Sequence, residues 1–143
     1  IVRMILDLPP LWLLACAFIA WNFKGPLPEI FWPGLILLIV AAWIIIAALA
    51  AFRRAKTTIF PHQQPDALIT DGVFRFSRNP IYLADVLILL GISLIWGSVV
   101  GLGLTVTLAL VLDRRFIQPE EARLAAAFGA EFEFYRGRVR KWL

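Results

Sequence analysis

Apolar residues fill two long stretches in the first half of the chain, at about 4–23 and 30–52. The first is interrupted at its beginning by Asp7 and by the Pro9-Pro10 pair, so we expect its helix to begin late or to bend there. The second contains 23 residues without a charge. Because a helix crosses the hydrocarbon core with about 20 residues, each stretch predicts a transmembrane helix.

A third apolar region, residues 81–112, is too long for one span. It has 32 residues, only one of them charged. Gly97-Ser98 lies at its middle, where a turn is favoured. We therefore predict a tight hairpin of two short helices, at 81–96 and 99–112, which packs against the other two. The resulting fold class is an all-α polytopic membrane protein with about four transmembrane helices.

The basic residues predict the orientation. Of 14 Lys and Arg, five lie in residues 53–80 and seven in residues 113–143. The positive-inside rule then places both segments in the cytoplasm, one as a loop and the other as a tail. We expect a single integral-membrane domain over residues 1–143, with both termini cytoplasmic, in a bacterial or archaeal inner membrane. Membrane lipids are then expected partners, and many of these charges contact anionic headgroups.

The loop before the third apolar region gathers polar groups at the membrane edge. Asn79 and Pro80 suit the N-cap and the first position of a helix, whose amino end attracts a carboxylate or a phosphate. Arg75 and Arg78 add positive charge nearby. Aromatic side chains that suit a flat ring or a cationic centre flank them: Phe74, Phe76 and Tyr82. A headgroup belt of arginine and aromatic residues is an equally good interpretation.

Asp85 lies one turn inside the third apolar region and is its only charge. A charged residue within a span is costly and tends to face a cavity or a partner. The three-residue spacing places Asp85 on the same helical face as Tyr82. The alternative is an interfacial aspartate that reaches out to water or favours the positive amino end of its helix.

The tail predicts an amphipathic helix that lies on the inner membrane surface and covers the loop. Pro119 can open this helix, and Glu120 and Glu121 suit its amino end, where simple capping explains both. Gly129 is expected to break it. Its apolar residues recur at helical spacing: Leu124, Phe128, Phe132, Tyr135 and Val139.

Several kinds of site find no support in the sequence. With His62 as the single histidine, a histidine-rich metal site is excluded, and no metal is expected. Cys16 lies in an apolar run and is expected to be a buried packing thiol. There is no glycine-rich nucleotide-binding motif. The arginine-rich segments lack a polar domain with aromatic platforms, so nucleic acid is not an expected partner.

Two segments resemble the signatures of the integral-membrane isoprenylcysteine carboxyl methyltransferase family. "LITDGVFRFSRNPIYL" is similar to that family's Leu-Val-Thr-x-Gly-x-Tyr/Phe followed by Arg-His/Asn-Pro-x-Tyr. "PEEARLAAAFGAEFEFYRGRVRKW" looks like its second signature, a Glu-Glu pair followed by Phe-Gly-x-Glu-Tyr and a later tyrosine. The resemblance covers about residues 50–143. The wider superfamily includes phospholipid N-methyltransferases and thiol methyltransferases, and sterol reductases share the fold.

The resemblance implies a methyltransferase that uses S-adenosylmethionine, releases S-adenosylhomocysteine and acts on a lipophilic small molecule or lipid at the cytoplasmic interface. It also implies that the loop, the start of the third span and the tail hold the cofactor. Carried over by position, the cofactor-binding residues would be Asp66, Ala67, Leu68, Ile69, Phe74, Asn79, Pro80, Ile81, Tyr82 and Glu120.

The acceptor is less well defined. Phe116 stands where the eukaryotic enzymes have an arginine thought to meet the substrate carboxylate, so the acceptor need not be a prenylated cysteine. Arg114 and Arg115 are close by, and we name Arg115 and Asp85 as catalytic candidates. An amine or a hydroxyl acceptor would need a base, for which Asp85 or His62 is available.

We expect the acceptor to enter from the membrane, between the third and fourth spans. Two other functions stay open. One is a membrane reductase of the same fold that binds NADPH at the same edge, where the loop arginines would meet its phosphates. The other is a scaffold without enzymatic activity.

Overall fold

The computed structural model describes residues 8–56 and 67–143, and within them the chain is helical. Asp66 and His62 lie outside the described residues. We number the α-helices in chain order; a short 3₁₀ helix lies before α3, and a π-helical turn joins α4 to α5. The helices are α1 Pro9–Asn22, α2 Phe31–Ala55, the 3₁₀ helix Gly72–Arg75, α3 Pro80–Trp96, α4 Val99–Leu112, the π-helical turn Asp113–Ile117, α5 Gln118–Phe128 and α6 Ala130–Arg138.

α2 is the one described helix that is both long and apolar enough to cross a membrane by itself. It has 25 residues, an 18-residue stretch of which has a mean hydropathy of 3.0, and at 1.5 Å per residue it is about 37 Å long. α1 and α3 are apolar but shorter, at 14 and 17 residues, and α4 has 14. At the same rise per residue, these three helices are only about 21 to 26 Å long. The four predicted helices are therefore present, and one of them meets the length of a complete span.

α1 begins at Pro9, because the proline ring fixes a helical φ and has no N–H to leave unpaired. Leu8 before it is extended. A start at the proline pair agrees with the late start that was expected, and residues 4–7 of the predicted 4–23 lie outside the described residues. Cys16 is buried in α1, as expected of a packing thiol.

The predicted hairpin between α3 and α4 is confirmed. Gly97 ends α3 in the left-handed region at φ 62°, and a Cβ there would collide with the carbonyl oxygen of Leu27. Ser98 begins α4: its Oγ accepts a hydrogen bond from the Gly101 amide at 3.0 Å and donates one to the Phe23 carbonyl at 3.0 Å. This turn therefore brings together the ends of α1 and α3 and the start of α4, and the Ser98 side chain forms hydrogen bonds with two of them.

α2 and α3 form the most extensive helix pair of the fold. Gly34 and Gly91 let their backbones touch: a Cβ on Gly91 would lie 2.8 Å from the Gly34 carbonyl oxygen. α1 packs against α3 and α4 on the other side. α1 and α2 each pack against α3 and make few contacts with each other, which leaves a gap between them.

α4 continues through the π-helical turn into α5 without leaving the right-handed helical region. A π-helical turn accommodates an extra residue and rotates the side chains that follow. Phe116 and Ile117 are fully buried there, while Arg114 and Arg115 are exposed. The turn was not predicted, because one inserted residue barely changes the hydrophobic pattern of a helix.

The tail folds back over the described carboxyl part of the loop, residues 67–79, as predicted, and it breaks at Gly129, where φ is 55°. Phe132, Tyr135 and Val139 are buried against the 3₁₀ helix and α2. The Tyr135 hydroxyl donates to the Phe74 carbonyl at 2.7 Å. Burial raises the pKa of this phenol, which keeps it protonated and able to donate.

Candidate functional site

A cavity of about 370 Å³ lies where the amino end of α3 meets α1, α2 and α5. We call it the amino-end cavity. Its volume is in the range of small-molecule sites, which are mostly apolar with a few placed polar groups. It is lined by Leu8, Pro9, Pro10, Ile45, Leu49, Phe52, Phe74, Arg78, Asn79, Pro80, Ile81, Tyr82, Asp85 and Glu120.

One wall of the cavity is apolar and comes from the two helices that the sequence analysis left without a role. Pro9 and Pro10 contribute from the start of α1. Ile45, Leu49 and Phe52 contribute from α2. Their spacings of four and three place them on one helical face, so the pattern was visible in the sequence. Nothing in such a face distinguishes a cavity wall from an ordinary packing surface.

The opposite wall contains a hydrogen bond that links α3 to α5. The Tyr82 hydroxyl donates to Glu120 Oε1 at 2.6 Å, across 38 residues of sequence. Burial raises the pKa of the Glu120 carboxyl, although the bond from Tyr82 and the charge of Arg123 oppose that shift. Both residues were predicted to bind the cofactor, and the fold brings them together at the cavity.

Arg78 and Glu121 form a second link between the loop and α5. Arg78 Nη2 lies 3.6 Å from Glu121 Oε1, and only 10% and 12% of the two side chains are exposed. The interpretation of Glu121 as a simple helix cap is therefore wrong: it is a buried partner of Arg78. Arg78 also lines the cavity. From the sequence, Arg78 was expected only to add positive charge nearby, because a partner 43 positions away has no local signature.

Asn79 precedes α3 as predicted, but its side chain makes no capping hydrogen bond. Its Nδ2 instead donates to the Lys141 carbonyl at 3.1 Å. The Arg78 amide donates to the Arg140 carbonyl at 3.0 Å. Residues 139–142, which we call the C-terminal strap, thus hold the loop in place, and Lys141 Nζ ties the strap to Asp113 at 2.8 Å.

Asp85 is buried and lines the cavity on the same face as Tyr82, one turn deeper in α3. This is the arrangement predicted from their spacing. The alternative was an aspartate that reaches out to solvent. Asp85 does not do so, because only 7% of the residue is exposed.

The predicted cofactor residues divide into two groups. Those that line the cavity are Phe74, Asn79, Pro80, Ile81, Tyr82 and Glu120. Ala67, Leu68 and Ile69 do not line it. Ile69 is buried in the core beside Val73, and Leu68 packs against the same cluster.

Arg115 and Phe116 do not line the cavity either. Phe116 is fully buried and stacks on Tyr82, with ring centroids 6.2 Å apart. Arg115 is exposed, and its guanidinium lies 5.7 Å from the centre of the Trp12 ring. No described residue of α4 lines the cavity, whose apolar wall belongs to α1 and α2. This differs from the predicted opening between the third and fourth spans.

Comparison with known sequences gives the family. Residues 30–131, most of the chain, match the profile of the phospholipid methyltransferase family. The chain belongs to this family. The matched region contains α2, α3 and α4, the loop between α2 and α3, and α5 with Glu120, so it includes most of the residues around the cavity. The membrane character read from the sequence and its resemblance to lipid-directed methyltransferases are thereby confirmed.

A relative from Schizosaccharomyces pombe is named protein-S-isoprenylcysteine O-methyltransferase. It is 36% identical to this chain over 75 residues. These residues cover 50% of this chain but only 30% of the relative's length. No solved structure matches the chain.

Proposed function

We propose that the chain is an S-adenosylmethionine-dependent methyltransferase that acts on a lipophilic acceptor at the cytoplasmic membrane interface. The observation that carries the proposal is the amino-end cavity, in which a polar wall with Tyr82, Glu120 and Asp85 faces an apolar wall from α1 and α2. Membership of a methyltransferase family supports the reaction class.

The described residues fit the cofactor. The amino end of α3 has no side-chain cap, so its free amides suit the methionine carboxylate. Phe74 and Tyr82 offer aromatic faces for the adenine ring or the sulfonium. The buried Glu120 suits a hydroxyl or an ammonium group. When bound, S-adenosylmethionine supplies a methyl carbon that its sulfonium has already activated.

The protein's part in such a transfer is alignment and the exclusion of water. The hydrogen bond between Tyr82 and Glu120 fixes α3 against α5 on one side of the cavity. The tail covers the loop, so the acceptor would approach from the membrane, along the gap between α1 and α2. That route has apolar residues of both helices on its sides.

Asp85 favours an amine among the possible acceptors. A buried carboxylate on the cavity wall would attract an ammonium and accept its proton, which leaves a neutral amine whose lone pair can attack the methyl carbon. Position 116 is a phenylalanine whose side chain is part of the core. It therefore provides no positive charge for an acceptor carboxylate. A carboxylate acceptor would have to use another cation.

We also propose the four-helix topology with both termini in the cytoplasm of a bacterial or archaeal inner membrane. The distribution of Lys and Arg supports it. Reporter fusions after Phe52 and after Leu143 should both report a cytoplasmic location, and a fusion at Leu27 should report the opposite side. Opposite locations for the first two fusions would separate the loop from the tail and contradict the topology.

The cofactor is tested by isothermal titration of the purified protein in detergent with S-adenosylhomocysteine and, separately, with NADPH. Binding of S-adenosylhomocysteine alone is the expected result. Binding of NADPH alone would replace the proposal with the membrane reductase, and binding of neither would favour a scaffold.

A further inference from the structure

We infer that Arg78 and the amino end of α3 form an anion-binding site in the amino-end cavity, which takes a carboxylate or a phosphate. The inference rests on the proposed function, because it names a contact for the ligands of that same cavity. Two bound molecules could supply the anionic oxygen atoms: the cofactor through its carboxylate, or a lipid acceptor through its phosphate.

The first observation is that the Arg78 guanidinium is buried but incompletely paired. Only 10% of the side chain is exposed, and it lines the cavity. Its Nε and Nη1 atoms are buried and have no hydrogen-bond partner within the part of the chain that the structure describes. Buried cationic donors without partners are costly, so two open N–H groups beside a cavity indicate that a ligand completes them.

Glu121 does not account for those donors. It approaches Arg78 through Nη2 alone, at 3.6 Å, which is an ion pair without a hydrogen bond. Its Oε1 atom is itself without a hydrogen-bond partner among the described residues. Glu121 therefore balances the charge of Arg78 and leaves the remaining edge of the guanidinium available.

The second observation is the uncapped amino end of α3, next to the same guanidinium. An N-cap asparagine normally accepts a hydrogen bond from the first turn, but the Asn79 side chain donates to the Lys141 carbonyl instead. Pro80 has no N–H and the Leu83 amide donates to the Asn79 carbonyl at 3.0 Å, so the open amides of this helix end are those of Ile81 and Tyr82. Pro80 and Ile81 line the cavity with Arg78, so the positive helix end and the guanidinium face a common space.

The chemistry of this pair selects an anion with at least two oxygen atoms. A guanidinium binds carboxylate and phosphate groups through two parallel hydrogen bonds, and a helix amino end stabilises the same groups. Asp85 and Glu120 also line the cavity and would repel an anion. The anionic group is therefore expected at the Arg78 side of the cavity, with a cationic part of the same ligand toward the two carboxylates.

The test separates ligand binding from the pairing of Arg78 with Glu121. Arg78→Gln alone would leave Glu121 buried without a counter-charge, so the informative protein is the double variant Arg78→Gln/Glu121→Gln, compared with Glu121→Gln. Arg75→Gln removes an exposed arginine of the same loop and is the matched control. Equal thermal unfolding of the double variant and Glu121→Gln in detergent establishes that both are folded.

Four probes identify the source of the anion by isothermal titration. Two are S-adenosylhomocysteine and its analogue without the carboxylate. The other two are lysophosphatidylethanolamine and an alkylamine of the same chain length, which differ in the phosphate. Within one of these two pairs, the double variant is expected to bind the anionic compound about ten- to a hundredfold more weakly than Glu121→Gln does. Its affinity for the compound of that pair without the anionic group should not change. Arg75→Gln should bind all four as the wild-type protein does.

The outcomes decide the inference. A loss confined to S-adenosylhomocysteine assigns the site to the cofactor carboxylate, and a loss confined to the lysophospholipid assigns it to an acceptor phosphate. Unchanged affinity for every probe overturns the anion site. If the wild-type protein binds no S-adenosylhomocysteine, the proposed function fails, while the lysophospholipid pair still decides the anion site. Wild-type protein that binds none of the probes overturns both.

Discussion

The two ends of α3 have different structures, although one apolar helix joins them. At its carboxyl end, Ser98 both accepts and donates a hydrogen bond, and glycines bring backbones into contact. At its amino end, the Asn79 side chain does not cap the helix, and two donors of Arg78 beside the cavity have no partner within the described residues. The polar groups at one end are paired within the protein, and some of those at the other end have no partner among the described residues.

The difference indicates how a small membrane protein separates stability from binding. Polar groups are costly in an apolar environment unless they are paired. The hairpin end pairs them within the chain and so fixes the positions of α1, α3 and α4. The cavity end leaves several of them unpaired among the described residues, and we infer that they contact a ligand. Substitutions at the two ends should therefore affect different measurements.

The largest effect is expected from Glu121→Ala, which leaves the buried Arg78 without a counter-charge. Breaking a buried ion pair from one side typically costs about 3 to 5 kcal/mol. We expect the free energy of unfolding in detergent to fall by about 3 kcal/mol. Glu131→Ala, at an exposed glutamate of the same tail, is the control and should change it little. A loss below about 1 kcal/mol would mean that the pair is not formed.

Glu120→Ala should weaken ligand binding in protein that still folds. Loss of a hydrogen bond to a charged group costs about 1.5–3 kcal/mol, so affinity for S-adenosylhomocysteine should fall about ten- to a hundredfold. Tyr82→Ala should have a similar effect, because Tyr82 is the partner of Glu120. Titration of the folded variants measures this. If Glu121→Ala weakened binding and Glu120→Ala did not, the roles of the two glutamates would be reversed.

These two glutamates also define what the sequence could predict. The hairpin at Gly97-Ser98 and the break at Gly129 have local signals, since glycine allows the positive φ that each turn requires. Glu120 was assigned through its place in a motif. The burial of Glu121 depends on Arg78, 43 positions earlier, and no pattern within α5 reports such a distant partner. The same limit explains why the walls supplied by α1 and α2 were not identified.

At the packing interface of α2 and α3, Gly91→Ala should destabilise the protein. The new Cβ would lie 2.8 Å from the Gly34 carbonyl oxygen, so the two helices must move apart. Overpacking of this kind costs about 1–3 kcal/mol. Gly103→Ala is the matched control: it also lies within a helix, but its Cβ would meet nothing within 4 Å. Equal unfolding free energies for the two variants would argue against the close helix contact.

Ser98→Ala tests the completed end of α3. It removes the hydrogen bond to the Gly101 amide, which typically contributes about 1 kcal/mol, and it leaves the Phe23 carbonyl without its donor. We expect a lower free energy of unfolding and unchanged affinity for S-adenosylhomocysteine. A loss of affinity without a loss of stability would contradict the separation of the two ends.

The smallest effect concerns pH. Because burial raises the pKa of Glu120, its carboxyl takes up a proton at a higher pH than an ordinary glutamate does. Its ionised form is the one we expect to bind the ligand. Affinity for S-adenosylhomocysteine should therefore decline as pH falls toward the raised pKa, by less than the loss in Glu120→Ala. The decline should be absent in Glu120→Gln, and an identical pH profile for that variant would assign the titration to another group.

We propose that a methyl group passes from S-adenosylmethionine to a lipid acceptor in the amino-end cavity. The direct measurement is incubation of the purified protein with methyl-labelled S-adenosylmethionine and two acceptors, phosphatidylethanolamine and a farnesylcysteine analogue. We predict label on the amine lipid, with much less in Glu120→Ala and an unaffected level in Glu131→Ala. Methyl ester formed on the farnesylcysteine analogue alone would contradict the choice of an amine acceptor. Label on neither acceptor, from protein that also binds no S-adenosylhomocysteine, would contradict the account as a whole.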